Sequence, residues 1–382
     1  MKNRICPTRS ARPQNPLLFT YFAGPGDHPP ADRTPRMMRW PGAVCIPKAC
    51  PAAGKDRRHM NHCLNDTMKN IQLIEVPSEI GAGTRGASLG VEAIKIAALD
   101  FMSNFFIHFP SEKVPTENQL LFEPIQSPYA KRIKGIFTMY ERVSKSVAHC
   151  IKNSFFPVVL SGDHSIAGAT VAGIKMARPE SRLGIIWIDA HADLHTPYTT
   201  PSGNMHGMPM ALIIGEDNKE CAIHELDPQT VQIWNGLKEL GTGSPKVLPE
   251  DVVFISLRDF EKEENFLIDK YTIKVITTNE FRRKGAESIV KSVTRYLSDC
   301  TDIYISYDMD SMDSSISKGT GTPVGKGLRE REAEDLISKL MQNRKICCFE
   351  ITEVNPTLDT ENLMAEIAFN VLQRSVNVLM MN

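Results

Sequence analysis

No stretch of this chain approaches the roughly 18 consecutive apolar residues of a membrane-spanning helix, which excludes an integral helical membrane protein. An excess of one charge is also missing: 44 Lys and Arg stand against 45 Asp and Glu, a formal net charge of −1. Charge-driven binding to nucleic acid therefore has no support from the body of the chain. None of the nine cysteines has zinc-site spacing, and their odd number does not fit a closed disulfide framework. Reduced thiols in a cytoplasmic protein are expected, with the vicinal Cys347 and Cys348 as simple core packing. There is no internal repeat and no interdomain linker.

Residues 1–67 differ from the rest. They hold 10 of the 25 prolines and 11 Lys and Arg against four acids, whereas the remainder is acidic. Clusters such as Pro25-Gly26-Asp27-His28-Pro29-Pro30 allow no packed element. The apolar stretch from Leu17 to Ala23 is short and broken by Thr20, unlike a secretory signal, and the prolines spoil an amphipathic transit helix. The expectation is a disordered Pro/Arg-rich extension, translated from an upstream start codon, with one folded domain spanning 68–382. A genuine regulatory tail is the alternative.

From Ile71 onward, short apolar runs alternate with helical patterns. Strands are expected at 71–76, 158–160, 183–188, 252–255, 274–276, 303–307 and 346–351, and helices at 89–106, 165–177, 206–214, 284–297, 329–341 and 361–373. This alternation predicts an α/β fold, a mostly parallel sheet with helices on both faces.

Three of the strand candidates end in metal-ligand chemistry. Residues 185–188 run into Asp189-Ala190-His191-Ala192-Asp193, residues 303–307 into Asp308-Met309-Asp310, and residues 156–160 into Ser161-Gly162-Asp163-His164. Ligand sites of open α/β sheets lie beyond the carboxyl ends of strands. In extended chain the alternate residues Asp189, His191 and Asp193 would share one side, as would Asp308 and Asp310. Four converging carboxylates repel unless a cation neutralises them. Oxygen donors with a minority of imidazole and no thiolate suit manganese better than structural zinc. Six ligands are too many for one ion with an open position and fit two bridged ions.

These signatures together resemble the ureohydrolases, the binuclear manganese enzymes that include arginase and agmatinase. The resemblance implies a three-layer α/β/α sandwich around an eight-stranded parallel sheet and two manganese ions per subunit. One ion would sit among His164, Asp189, Asp193 and Asp308, the other among Asp189, His191, Asp308 and Asp310. The loop Thr196-Pro197…Ser202-Gly203-Asn204-Met205-His206-Gly207 is similar to the arginase loop that grips the amino-acid end of the substrate. Ser202 would contact the α-carboxylate and His206 would shuttle protons. Gly321-Thr322-Pro323-Val324 is similar to an element lining the substrate cleft, and Glu350-Ile351-Thr352-Glu353-Val354-Asn355-Pro356 to the segment whose second acid, Glu353, holds the guanidinium. A carboxylate suits that planar cation because it accepts two parallel hydrogen bonds.

The implied reaction converts L-arginine to L-ornithine and urea. Water made acidic by the metals would attack the guanidinium carbon, Asp310 would relay its proton, and His206 would protonate the departing amine. The resemblance also implies a homo-oligomer, trimer or hexamer. Three departures stand out. His195 replaces an Asn that reads the α-carboxylate, Glu261 replaces an Asp that reads the α-amino group, and Ser314 follows Asp313 where Pro is usual. Agmatine, a guanidino acid or formiminoglutamate is the alternative substrate. A non-catalytic scaffold would be expected to have lost one of the six ligands.

Overall fold

The computed structural model describes residues 69–381; the expectations for residues 1–67 lie outside the described residues. The strands are β1 (Asn70–Val76), β2 (Ser111–Lys113), β3 (Phe155–Ser161), β4 (Leu183–Ile188), β5 (Val252–Ile255), β6 (Lys274–Ile276), β7 (Asp302–Asp308) and β8 (Ile346–Thr352). They form one sheet of order β2-β1-β3-β8-β7-β4-β5-β6, and every neighbouring pair is parallel.

The strand pleat sends alternate residues to opposite faces, and both faces are apolar. Leu73, Leu160, Ile186, Ile188, Ile305 and Phe349 pack with the helices Gly90–Asp100, Ala286–Tyr296, Glu330–Leu340 and Leu363–Met381. Ile74, Val159, Ile185, Trp187, Phe254 and Tyr304 pack with Ile133–Lys152, Ala167–Ala177, Pro209–Ile214, Pro228–Glu239 and Lys262–Tyr271 on the other face. The result is the expected three-layer α/β/α sandwich. It explains why the central strands read as unbroken apolar runs.

The vicinal cysteines are core residues. Ile303 pairs with Ile346 but Tyr304 with Cys348, so Cys347 is the extra residue of a bulge and both thiols are buried. All five described cysteines are free. No helix among the described residues is long and apolar enough to cross a membrane.

The sequence pattern leaves residues 107–155 without an element, yet the structure places β2 and the 20-residue helix Ile133–Lys152 there. Ile133, Ile136, Tyr140, Val143 and Val147 are buried at three- and four-residue spacing, a period visible in the sequence. The strand β2 carries no such signal. Its Ser-Glu-Lys side chains are polar, and it joins the sheet edge through its backbone beside Leu73, Ile74 and Glu75. Pro228–Glu239, Lys262–Tyr271 and Thr278–Lys284 are further helices that the pattern missed. Asp227, whose side chain accepts from Thr230 N, followed by Pro228, is an N-terminal signature for the first of them.

Candidate metal centre

The four central strands, β3, β8, β7 and β4, deliver the ligand candidates from their carboxyl ends. His164 sits in the short 3-10 turn His164–Ile166 after β3, capped by Asp163, whose side chain accepts from Ser165 N. After β4 the chain leaves extended geometry at once. Asp189 accepts from His191 N at 2.7 Å, and Asp193 has a φ of +52°. After β7, Asp308 caps the turn Met309–Ser311 by accepting from Asp310 N at 2.7 Å. The expected convergence by strand alternation is therefore corrected. Asp189, His191 and Asp193 come together through carboxylate-capped turns, because an Asp side chain two residues before a free N–H favours a turn over continued strand.

The geometry gathers donors around one point. His164 Nδ1 lies 3.0 Å from Asp189 Oδ2, 3.0 Å from Asp193 Oδ2 and 3.0 Å from Asp308 Oδ2. One imidazole nitrogen cannot serve three carboxylates. His164 Nδ1, Asp189 Oδ2 and Asp193 Oδ2 are buried with no hydrogen-bond partner among the described residues. The other ring nitrogen, Nε2, is engaged by Ser306 Oγ at 2.7 Å, which leaves Nδ1 free to be a ligand. The ring is also stacked on Trp187 at 4.1 Å between centroids. Beside this group, His191 Nδ1 lies 2.8 Å from Asp310 Oδ2 and 3.6 Å from Asp189 Oδ1, with His191 Nε2 3.8 Å from Asp259 Oδ2. Three sets have the spacing to hold a metal ion: His164 with Asp189 and Asp193, Asp189 with His191 and Asp310, and, apart from these, His195 with Glu261 and Glu264. Asp189 belongs to the first two.

Electrostatics point the same way. Even with both imidazoles protonated, Asp189, Asp193, Asp308 and Asp310 would leave two buried negative charges in excess. Burial, then the charge of Asp189, pushes the Asp193 carboxyl up to about 6. Burial and the neighbouring Asp310 and Asp189 raise Asp308 well above the carboxylate range. Asp189 alone is held low: burial opposes its charge, but His164 and His191 outweigh it. A site of this donor set, strained without a cation, fits divalent metal.

Next to the ligand sets, Glu353 follows β8 at a φ of +64°. Its Oε1 accepts from His164 N at 3.0 Å and lies 3.1 Å from His206 Nδ1. Its Oε2 is buried without a partner among the described residues. Burial lowers the proton affinity of His206, but the hydrogen bond and charge of Glu353 outweigh it and raise the pKa. Thr322 Oγ1 donates to Asp310 Oδ2 at 2.9 Å.

Glu350 points elsewhere. It is a fully buried core acid accepting from Ser161 Oγ, Thr170 Oγ1 and Tyr304 OH at 2.7, 2.6 and 2.9 Å. Glu350→Ala strands three buried hydroxyls at about 1–3 kcal/mol for each unsatisfied group. It is expected to lower the thermal midpoint by several degrees in a melting experiment, and an unchanged midpoint would contradict this.

The outer end of the site is a cavity of about 480 Å³ whose lining includes His191, His195, Ser202, His206, Glu261, Glu264 and Thr322. His195 and Glu261, expected to read opposite ends of an amino acid, are bonded to each other: Nε2 lies 3.0 Å from Glu261 Oε2 and 3.6 Å from Glu264 Oε2. His195 holds the Glu261 carboxyl down to about 2, whereas burial pushes Glu264 up to about 8. Ser202 Oγ accepts from Asn204 N at 3.2 Å.

Glu264, Ser306 and Arg258 escaped the sequence reading as site residues. Glu264 binds Leu194 N at 3.0 Å and completes a capping box with Glu261; the Glu-x-x-Glu spacing was its signal. Arg258 Nη2 donates to the Asp310, Met312 and Val324 carbonyls and Nε to Gly325 O, a clamp that no spacing announces.

Comparison with known proteins follows this geometry. A family model described as the Arginase family matches residues 69–376. An arginase from Bacillus caldovelox is 33% identical over 306 residues, covering 79% of this chain and 96% of that protein. A crystal structure of arginase from Bacillus subtilis superposes with a TM-score of 0.66 at 32% identity, over 81% of this chain and 98% of that one. A formimidoylglutamase from Bacillus subtilis shares the fold, with a TM-score of 0.64 at 18% identity over 83% and 89%.

Proposed function

Because this chain belongs to the arginase family, we propose that it hydrolyses the guanidinium group of L-arginine to L-ornithine and urea, with two manganese ions as cofactor. One ion would be held by His164, Asp189, Asp193 and Asp308, the other by Asp189, His191, Asp308 and Asp310. Bound there, the metal pair would supply a water acidic enough to act as nucleophile near neutral pH. The observation that carries the reading is a set of buried, unpartnered atoms, His164 Nδ1, Asp189 Oδ2, Asp193 Oδ2 and Glu353 Oε2, of which His164 and Asp193 belong to residues lining the cavity.

The chain's own residues account for the rest of the reaction. Glu353 Oε2 accepts the guanidinium N–H groups and fixes the plane of the electrophile. Asp310, oriented by Thr322, takes the proton released by the nucleophile. His206, whose proton affinity the hydrogen bond and charge of Glu353 raise, donates to the departing amine or exchanges protons with solvent through the cavity. Ser202, His195 and Glu261 line the end of the cavity where the amino-acid moiety would lie.

One observation favours a second reading. The contact between His195 and Glu261 occupies the acid assigned to the α-amino group with an imidazole, which suits a guanidino acid or a formimino acid. Urea release by manganese-loaded protein from L-arginine, agmatine and 4-guanidinobutyrate at equal concentration separates these. Preference for arginine is expected; preference for a substrate lacking the α-amino or α-carboxylate group would sink the arginine assignment. Release of formamide from formiminoglutamate in place of urea would do the same. The free thiols of the described cysteines support a cytoplasmic setting. A homotrimer or hexamer is the expected assembly, to be checked by light scattering.

A further inference from the structure

One hydroxyl beside the site has no assigned role. Thr84 Oγ1 is buried without a hydrogen-bond partner among the described residues, as is Glu353 Oε2. The two atoms face the same space. A methyl group built on Gly321 would lie 2.9 Å from Thr84 Oγ1 and 3.3 Å from Glu353 Oε2. The absence of a side chain at Gly321 thus lets an unpaired hydroxyl and an unpaired carboxylate oxygen approach the same point of the backbone, one residue before Thr322, which lines the cavity. Two buried polar atoms left without partners each cost free energy, and a ligand with N–H donors would satisfy both at once.

The hydroxyl is held rigidly. The turn that carries Thr84 is closed by Arg85, whose Nη1 donates to Glu79 O at 3.0 Å and Nη2 to Ala82 O at 2.6 Å. Asn355 Nδ2 and Thr357 Oγ1 each donate to Arg85 O at 3.0 Å. Those two residues lie just beyond Glu353, so the turn and Glu353 are tied into one unit. On the other side, His206 N donates to Gly81 O at 3.2 Å, which couples the same turn to the loop carrying His206.

We infer that Thr84 is a substrate-contacting residue: with Glu353 Oε2 it forms a notch over Gly321 that receives a terminal nitrogen of the guanidinium. The inference rests on the guanidinium-hydrolase reading above and adds the residue that selects an unsubstituted nitrogen. Glu353 accepts one N–H and Thr84 Oγ1 accepts another, so the reacting carbon is oriented by two elements, the turn after β1 and the segment after β8. The hydroxyl is needed and the threonine methyl is not.

The test compares Thr84→Val, Thr84→Ser and Gly321→Ala with the parent enzyme, all manganese-loaded, in kcat/KM for L-arginine and in competitive inhibition by L-ornithine. Ornithine has no guanidinium and reports the rest of the cavity. Thr84→Val is expected to lose about 10- to 100-fold in kcat/KM, the loss of one hydrogen bond to a charged group. Its inhibition by ornithine should change less than about twofold, within the scatter of a surface substitution. Thr84→Ser should recover most of the activity, and Gly321→Ala, which fills the notch, should lose as much as Thr84→Val or more. Melting midpoints identify any variant that has merely lost its fold. An active parent with an unaffected Thr84→Val, or a loss matched in ornithine binding, overturns the inference alone. A parent inert towards arginine overturns the functional reading and this inference with it.

Discussion

Glu353→Gln is expected to lower kcat/KM for the guanidino substrate by two to three orders of magnitude, about 3–4 kcal/mol, while the protein keeps its fold. The amide retains the shape of the carboxylate and an oxygen that can accept from His164 N, now 3.0 Å from Glu353 Oε1. The turn holding His164 therefore has no reason to move. What is lost is the negative charge opposite a planar cation and the ion pair with His206 at 3.1 Å. A pH signature should accompany the loss. Burial depresses the pKa of His206, and Glu353 more than restores it, lifting it above the ordinary value. A step that needs protonated His206 is lost as pH rises through that raised pKa. Removing the charge of Glu353 removes the raising cause, so the basic limb should move to lower pH in the variant. Steady-state kinetics across pH, with melting curves and metal content alongside, decide the matter. Activity within a few-fold of the parent, or a fall matched by a collapsed midpoint, would rule out the assigned role.

Asp189→Asn should have the larger effect on the metal centre. Asp189 is the residue common to the His164 and His191 ligand sets, with Oδ2 at 3.0 Å from His164 Nδ1 and Oδ1 at 3.6 Å from His191 Nδ1. Replacing it removes one negative charge from each ion at once, and an amide nitrogen is no ligand. Disturbing an outer partner of a metal ligand already costs about 10- to 100-fold, so loss of a shared ligand is expected to exceed about 1,000-fold in activity. A second readout does not depend on turnover. Chelated parent protein titrated with manganese should rise in melting midpoint, since a ligand that binds only the folded state at 100 times its Kd adds about 2.7 kcal/mol. Asp189→Asn should show little or no rise, and metal analysis should find it depleted. Retention of two ions and a parent-like rise would sink the bridging assignment.

Much of the architecture is legible in the chain itself. The apolar runs that became β3, β4, β7 and β8 are buried on both faces, so their composition needs no partner to be recognised, and the acids at their ends mark where burial stops. The ligand candidates were readable for the same reason, since charged side chains directly after a buried strand can only lie at the sheet's carboxyl edge. The edge strand β2 and the carbonyl clamp of Arg258 were not readable, because backbone hydrogen bonds leave no mark on residue type.

Within the site, the division follows the range of the forces involved. Residue identity alone showed that the four carboxylates and two imidazoles have the donor chemistry of a metal site, since donor chemistry is local to each side chain. The resemblance implied Glu353 over Glu350 as the guanidinium acid, and only the tertiary structure supplies a physical reason to separate the two. Glu350 and Glu353 are three residues apart, yet one is saturated by Ser161, Thr170 and Tyr304 in the core, while the other turns at a positive φ and keeps a free oxygen. Likewise only packing brought Thr84 to Glu353 and bonded His195 to Glu261. Those pairs are far apart in sequence, and their meeting depends on how turns from different strands close against one another.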